Sequence, residues 1–481
     1  MLRDENVLVL KPEWLLVNDL RKVLLSRLSD DRLEYMTLDP ARSVVISLLD
    51  GKKTVKELLD NIRYLFDFPD DGSAKSFLGQ LLTNVNEKDE KVAILNEPVS
   101  WAVRYNPLDF LVSPEEFEKG CRLTKPLSLL IFFSGWCQTN CIYCYSDLSN
   151  MRRLEHLSLM QWMPILDQAH DLNIRMIQLS GGDPLGRPDS IKFLVSLLER
   201  KFVFMVSTKC RISPEDANML ADAGFNEPIN GIRRSFQVSI DSPDPQIADY
   251  MTRSTGYLGR ATESILNLIE VGINPIVKAV LTPFNYQQAG DLIETFAELG
   301  VRSFRLANYG HSHYRHDNCL FLSDEMKTEA SDQIKAIAFE HPDLIIEGDA
   351  TKFEPSPQTL ARRSEEKWKV RASCSAGRTN LGIAPDGKAI LCEQMPFSIP
   401  YFVGDLTKQS ILDVWNSTEL LKFVYPPKEF FTDTPCSGCI DFQECVYDRG
   451  YCFREALFAF GRLHHPPPDC PRAPEVDYRL V

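Results

Sequence analysis

Between about residues 126 and 310 the chain alternates strand-like and helix-like segments, and few architectures accept that pattern. Apolar, β-type runs lie at Ser128–Ser134, Ile174–Ser180, Phe202–Ser207, Ser235–Ile240, Pro275–Leu281 and Ser303–Ala307. Helical periodicity fills most of the intervals, at Ile191–Leu198, Pro214–Ala223, Ala261–Val271 and Gln288–Leu299. Repeated βα units predict a mostly parallel sheet, open or closed into a partial barrel. Ligands of such sheets sit at the carboxyl ends of the strands. The chemically distinctive residues of this region fall at those ends.

The flanking segments differ in character. Residues 1–100 read as a small separate domain. Strands are expected at Val7–Leu10, Val23–Leu25, Leu33–Thr37 and Val92–Leu95, with helices at Ala41–Leu49, from Val55 to Leu65 and from Ala74 to Asn86. Thr54 and Glu57 have capping-box spacing. Three short helices and a wing give a winged-helix-like expectation. Residues 101–125, punctuated by Pro107 and Pro114, form a connector, and 311–370 a charged helical link. Residues 371–481 are rich in cysteine and turns, and the run His464–Pro468 is expected at the surface.

The 481 residues carry a formal charge of -14, which disfavours broad attraction to nucleic acid or an anionic membrane. No signal peptide is visible after Met1 and no apolar run reaches membrane-spanning length, so the expected compartment is the cytoplasm. In a reducing compartment, thirteen cysteines point to metal ligation rather than disulfides.

Cys137-Gln-Thr-Asn-Cys141-Ile-Tyr-Cys144 places three thiols in one loop just past the first strand. Soft thiolates suit an iron–sulfur cluster or zinc. Three ligands on a four-iron cluster leave one iron open to a substrate's amine and carboxylate. This spacing, with Tyr143 before the last cysteine, resembles that of the radical S-adenosylmethionine enzymes. The resemblance implies a partial (β/α)6 barrel and reductive cleavage of S-adenosylmethionine to a radical that abstracts hydrogen. It also implies that Gly181, Gly182, Asp183 and Pro184 receive the methionine amino group. Ser239 and Asp241 correspond to ribose-contacting positions. Ser207, Lys209 and Lys278 are further candidates near the bound sulfonium or its carboxylate, and Arg305 and Asn308 are weaker ones. No general base is assigned. His311, His313, Tyr309 and Tyr314 follow the sixth strand and are expected in a solvent-facing loop.

Downstream, Asp386-Gly387 favours a tight hairpin turn that would bring Cys374 and Cys392 together. Cys436, Cys439, Cys445, Cys452 and Cys470 follow. Seven thiols exceed one four-coordinate site and nearly fill two. The pattern resembles the SPASM domain, which carries two auxiliary [4Fe–4S] clusters, although position 449 is Arg and the next cysteine comes at 452. The resemblance implies Cys436, Cys439, Cys445 and Cys470 for the second auxiliary cluster. It implies Cys374, Cys392 and Cys452 for the first, with Cys121 as its fourth ligand. A zinc-binding domain is the rival, because zinc takes the same ligands. Cys210 reads as a core thiol.

The phrase Leu48-Leu49-Asp50-Gly51 followed by Thr54–Leu59 resembles PqqD-like precursor-recognition domains. These bind the leader of a ribosomally made peptide as an added strand. Here the receiving edge would be Glu34, Tyr35, Met36 and Thr37, with a helix near Ala74–Leu82. The whole implies a radical maturase of a precursor peptide, with three [4Fe–4S] clusters, S-adenosylmethionine and a flavodoxin- or ferredoxin-like electron donor. An intrapeptide crosslink (thioether, C–C or C–O) is the expected product. Alternatives are a sulfatase formylglycine maturase, a peptide epimerase, and a leader-binding scaffold whose clusters are structural.

Overall fold

The computed structural model describes residues 2–28, 33–87, 90–113, 122–174, 176–229, 232–310, 313–352 and 365–475. Packing divides the chain into two units: Met1–Gly120 with Pro228–Arg233, and Cys121–Glu227 with Arg234–Val481. Among the described residues no helix is long and apolar enough to cross a membrane.

The first unit holds strands β1 (Val7–Leu10), β2 (Trp14–Asn18), β3 (Val23–Leu28), β4 (Leu33–Leu38), β5 (Asp50–Thr54) and β6 (Val92–Leu95). They form two antiparallel three-stranded sheets, ordered β5-β1-β6 and β2-β3-β4. Helices span Pro40–Ser47, Val55–Leu65 and Asp71–Val85. The second of these shows why the sequence folds as it does. Val55, Leu58, Leu59 and Ile62 form one buried stripe at helical spacing. Thr54 and Glu57 close the capping box, worth about 1 kcal/mol at such a site. The three expected helices are present, but there are two sheets where a winged helix has one wing. β5 is not legible as a strand, because its Asp-Gly-Lys-Lys-Thr sequence is polar and reads as a turn.

The second unit is built on β7 (Ser128–Ser134), β8 (Met176–Gly181), β9 (Val203–Thr208), β10 (Ser235–Ser239), β11 (Pro275–Leu281) and β12 (Ser303–Asn308). These six strands pair in parallel and in chain order. β7 and β12 do not pair with each other, so the run stays open, as a partial barrel does. Two features go beyond the sequence expectation. β13 (Ile345–Glu347) adds a parallel strand beside β12. β14 (Asn380–Ile383), from the cysteine-rich segment, pairs in parallel with the free side of β7. β14 continues through the Asp386-Gly387 turn into β15 (Lys388–Ile390), which pairs with β16 (Gly404–Asp405). The barrel and the cysteine-rich segment thus share one ten-stranded sheet.

The faces of that sheet differ sharply. Residues such as Ile131, Phe133, Val206, Phe236, Val238 and Phe304 belong to the buried core. The Phe133 ring stacks on Phe193 of the Ser190–Glu199 helix at 4.0 Å. On the alternate face lie Gln178, Ser180, Ser207, Gln237, Ser239, Lys278 and Arg305. A parallel sheet buried on both faces reads as continuous apolar sequence. A polar face on this one marks a lumen built to hold a ligand.

Candidate active site

β7 ends at Ser134, and the chain turns through Gly135 and Trp136 into the cysteine loop. The buried hydroxyl of Thr139 stands between two thiols, 3.2 Å from Cys137 Sγ and 3.4 Å from Cys141 Sγ. Two anchors hold the loop. The N–H groups of Asn140 and Ile142 donate to the carbonyls of Thr252 and Met251 at 2.9 and 3.0 Å. Arg315 Nη1 donates to the carbonyls of Asn140 and Cys141 at 2.9 and 2.8 Å. Burial, with Asp183 adding to it, pushes the Cys137 thiol up to about 11. Burial also raises Cys141, while Lys209 pulls the other way. Such thiols keep their protons until a metal replaces them.

The glycine segment after β8 packs directly under this loop. Gly181 has φ +136°, and a Cβ there would lie 2.3 Å from Ser134 O. A Cβ on Gly182 would lie 2.4 Å from Trp136 O. The glycines therefore admit the backbone of the cysteine loop. The N–H groups of Gly182 and Asp183 are spent on Ser134 O and Trp136 O at 2.8 and 2.7 Å. The Asp183 carboxylate accepts from Thr208 Oγ1 and Lys209 N at 2.7 Å each and from Leu185 N at 2.9 Å. It ties β8 to β9 from a buried position, and Pro184 beside it is also buried.

Past the ends of β9 and β10, Lys209 Nζ meets Asp241 Oδ2 at 3.0 Å and Ser239 O at 3.2 Å. The Tyr143 hydroxyl donates to the same Asp241 oxygen. Val280 N donates to Asp241 Oδ1 at 3.0 Å, and Asn285 Nδ2 to the Asp241 carbonyl at 2.6 Å. Burial raises Tyr143, Asp241 beside it adds to this, and the phenol keeps its proton. Ser207 and Ser239 sit half-buried on the lumen face. Lys278 is in register with Ser239 on one side and Arg305 on the other. Glu393, next to Cys392, accepts from Ser180 Oγ at 3.3 Å and Tyr145 OH at 3.2 Å.

The cysteine-rich segment gathers its thiols in two groups. Cys436, Cys439, Cys445 and Cys470 line one cavity with Trp368, Phe442 and Tyr451. Burial, with Cys470 adding to it, pushes Cys436 up to about 12. Burial pushes Cys445 up to about 11 against the pull of Arg371. Arg371 Nη2 lies 3.2 Å from Cys445 Sγ, and Arg472 donates to Cys439 Sγ. In the second group burial lifts Cys392 to about 12 and Cys452 to about 11. Arg454 lies beside both and opposes that rise, while Cys374 adds to it. The Cys374 N–H donates to Arg449 O at 2.9 Å. The departure from the resembled spacing at 449 thus still leaves Cys452 in the neighbourhood of Cys374. Cys121 lies outside the described residues. Among the described residues no three His, Cys, Asp or Glu side chains converge as the ligands of a single ion would. Four thiols lining one cavity with guanidinium donors beside them suit a larger, negatively charged iron–sulfur cluster.

Several expectations are corrected here. His313 and Tyr309 are buried rather than solvent-facing: His313 stacks on Phe458 at 3.7 Å and lies 3.9 Å from Glu455. His311 lies outside the described residues. His465 to Pro468 are buried, because Pro466 and Pro467 wall the thiol cavity. Cys210 is a core thiol as expected, and Cys319 is exposed. Sequence reasoning misses Thr139, Asn285, Arg315 and Glu393. Thr139 and Glu393 carry one signal, adjacency to the cysteines; the other two act through contacts distant in the chain.

A family model described as the radical SAM superfamily matches residues 131–299, and one for an iron–sulfur cluster-binding domain, SPASM, matches 374–440. The chain is 23% identical to the PqqA peptide cyclase of Methylocella silvestris over 364 residues, 74% of this chain and 90% of that protein. It is 26% identical to the mycofactocin maturase MftC of Mycolicibacterium smegmatis over 367 residues, 74% of this chain and 85% of that one. The crystal structure of Streptococcus suis SuiB bound to S-adenosylmethionine superposes with TM-score 0.63 at 16% identity, covering 99% of this chain and 100% of that one. The chain carries a radical SAM domain followed by a SPASM domain, and these imply S-adenosylmethionine and [4Fe–4S] clusters as its cofactors.

Proposed function

We propose that this chain is a radical maturase that crosslinks a ribosomally made precursor peptide. The observation that carries the reading is the loop of Cys137, Cys141 and Cys144 set over a polar lumen, in a chain with seven further thiols in two groups. The two relatives, named for a peptide cyclase and a maturase, point to a peptide as the substrate. When bound, the first cluster and S-adenosylmethionine supply a 5'-deoxyadenosyl radical that abstracts hydrogen.

The chain's own residues set the stage for that chemistry. Cys137, Cys141 and Cys144 would hold the first cluster. Gly181, Gly182, Asp183 and Pro184 fix the loop's underside and present acceptors to the methionine amino group. Ser207, Ser239 and the Lys209–Asp241–Tyr143 network face the nucleoside. Cys436, Cys439, Cys445 and Cys470 would hold one auxiliary cluster, and Cys374, Cys392, Cys452 and Cys121 the other. A PqqD-like first unit binds the leader along Glu34, Tyr35, Met36 and Thr37. In support, β4 is an edge strand of its sheet, and Glu34 and Thr37 are exposed. The electron donor is a flavodoxin- or ferredoxin-like protein, and the compartment is the cytoplasm.

Anaerobic reconstitution tests this. About twelve irons per chain are expected from three four-iron clusters, with 5'-deoxyadenosine released on adding S-adenosylmethionine and dithionite. Coexpression with a small peptide encoded beside the gene should give a product two mass units lighter. No mass change would indicate epimerisation. About four irons, or no cleavage, would overturn the three-cluster maturase.

A further inference from the structure

Where the cysteine loop meets solvent, the local charge opposes that of the chain. Cys137 is half-buried between two exposed residues, Trp136 and Gln138, and Trp136 is 52% exposed. The Trp136 backbone is fixed, because its carbonyl accepts from Asp183 N at 2.7 Å. Arg152 lies over the indole at 5.5 Å and donates from Nε to Gly135 O at 3.3 Å. Arg153 follows it and is exposed. On the other flank Asn140 N donates to Thr252 O at 2.9 Å, and the next residue, Arg253, is exposed. Trp136 and Asn140 are four residues apart, at most about 14 Å, so both flanks fall within one protein–protein footprint.

Among the described residues, Arg152, Arg153 and Arg253 form no ion pair. The neighbouring carboxylates are engaged elsewhere. Asp147 accepts from Asn150 Nδ2 and Phe397 N, Asp189 pairs with Arg187, and Asp249 accepts from Gly256 N and Tyr257 N. Glu155 is exposed and offsets one of the three charges. In a chain of net charge -14, this is a local reversal of sign.

We infer that Trp136, Arg152, Arg153 and Arg253 form the docking surface for an acidic electron-carrier protein that reduces the first cluster. The inference rests on the radical reading and deepens it by placing the donor. Electron transfer weakens steeply with distance, so a carrier must dock where the loop that would hold the cluster reaches solvent. The negative chain repels an acidic carrier at long range, and the arginines turn that repulsion into attraction at this loop. Tryptophan and arginine are also the side chains that most often anchor an interface. The step moves one electron: the carrier is oxidised by one, the cluster is reduced by one, and no atom is transferred.

The test uses the full-length, anaerobically reconstituted protein. Release of 5'-deoxyadenosine is driven either by a purified, reduced, acidic flavodoxin or by dithionite, which is small and needs no docking surface. Arg153→Glu combined with Arg253→Glu reverses two charges whose side chains make no hydrogen bond among the described residues. The KM for flavodoxin should rise about tenfold or more at low salt, while the dithionite-driven rate stays unchanged. Arg153→Lys with Arg253→Lys should keep the original KM. In the unaltered protein the flavodoxin-driven rate should fall as salt rises from about 50 to 200 mM, and the dithionite-driven rate should hold. An unchanged flavodoxin KM in the glutamate variant overturns the docking surface. Equal loss with both reductants also overturns it, since the arginines would then support the loop itself. No 5'-deoxyadenosine from the unaltered protein with dithionite would overturn the radical reading instead.

Discussion

The Arg315 guanidinium holds the backbone carbonyl of Cys141 at 2.8 Å, so a residue beyond the last barrel strand fixes the middle ligand of the cysteine loop. A charged donor to a main-chain carbonyl contributes about 1.5–3 kcal/mol. Arg315→Ala should loosen the loop without unfolding the sheet. The expected outcome is loss of the first cluster, seen as a drop of about four irons and little 5'-deoxyadenosine. Arg315→Lys keeps the charge but on a single nitrogen, and should retain more iron than the alanine variant. Iron analysis and circular dichroism on the same samples check this.

Gly182→Ala should act on the same loop from below. The added carbon would meet Trp136 O at 2.4 Å, and that atom is backbone, so the loop itself must move. The strain at a position like this costs about 1–3 kcal/mol. Iron held by the auxiliary thiols should survive. The result that would count against the packing argument is a variant with unchanged iron and unchanged cleavage.

Asp241→Asn leaves the Lys209 ammonium buried without its partner. The two side chains are 11% and 1% exposed, and the pair sits at 3.0 Å. Breaking such a pair by removing one partner costs about 3–5 kcal/mol. A lower denaturation midpoint is expected, together with weaker S-adenosylmethionine binding measured by equilibrium dialysis. The double variant Lys209→Met with Asp241→Asn should recover stability but not binding.

Arg371→Gln should lower the potential of the cluster held by Cys436, Cys439, Cys445 and Cys470. The guanidinium donates to Cys445 Sγ at 3.2 Å, and hydrogen bonds to ligand sulfurs stabilise the reduced, more negative state. The shift should be on the order of tens of millivolts, since about 59 mV corresponds to a tenfold change for one electron. An EPR redox titration in a Cys137→Ala, Cys141→Ala, Cys144→Ala background isolates the auxiliary signals. A shift of the opposite sign would refute a hydrogen-bonding role.

Much of this architecture is legible in the sequence. The six barrel strands are readable because each is a short apolar run between helical periods, and β7 and β11 fall on the expected residues. The Thr54–Glu57 capping box is readable because its defining residues lie within one helical turn. The illegible parts depend on contacts far apart in sequence. Nothing in Asn380-Leu-Gly-Ile383 says that it will lie beside Ser128–Ile131. Nothing local marks Arg315 as a partner of Asn140, or Glu393 as a partner of Ser180. Polar appearance misleads at His313 and at His465, where neighbouring aromatic and proline residues provide the cover. The glycines at the end of β8 mark a close approach of the chain to itself, between Gly181 and Gly182 and the carbonyls of Ser134 and Trp136.

The pairing of β14 with β7 bears on how the molecule can be taken apart. The first strand of the barrel completes its hydrogen bonding only when a segment from far downstream, Asn380–Ile383, arrives beside it. A chain truncated after Val370 would expose the main-chain donors and acceptors of β7 to any other extended segment, the condition that favours aggregation. During synthesis the same strand waits for its partner until the rest of the barrel has been made, and long-range parallel closure of this kind is slow. The cysteine-rich segment is therefore not a detachable accessory: it supplies the strand that shields the barrel's first edge, and shuffling it between enzymes requires carrying the β7 interface with it.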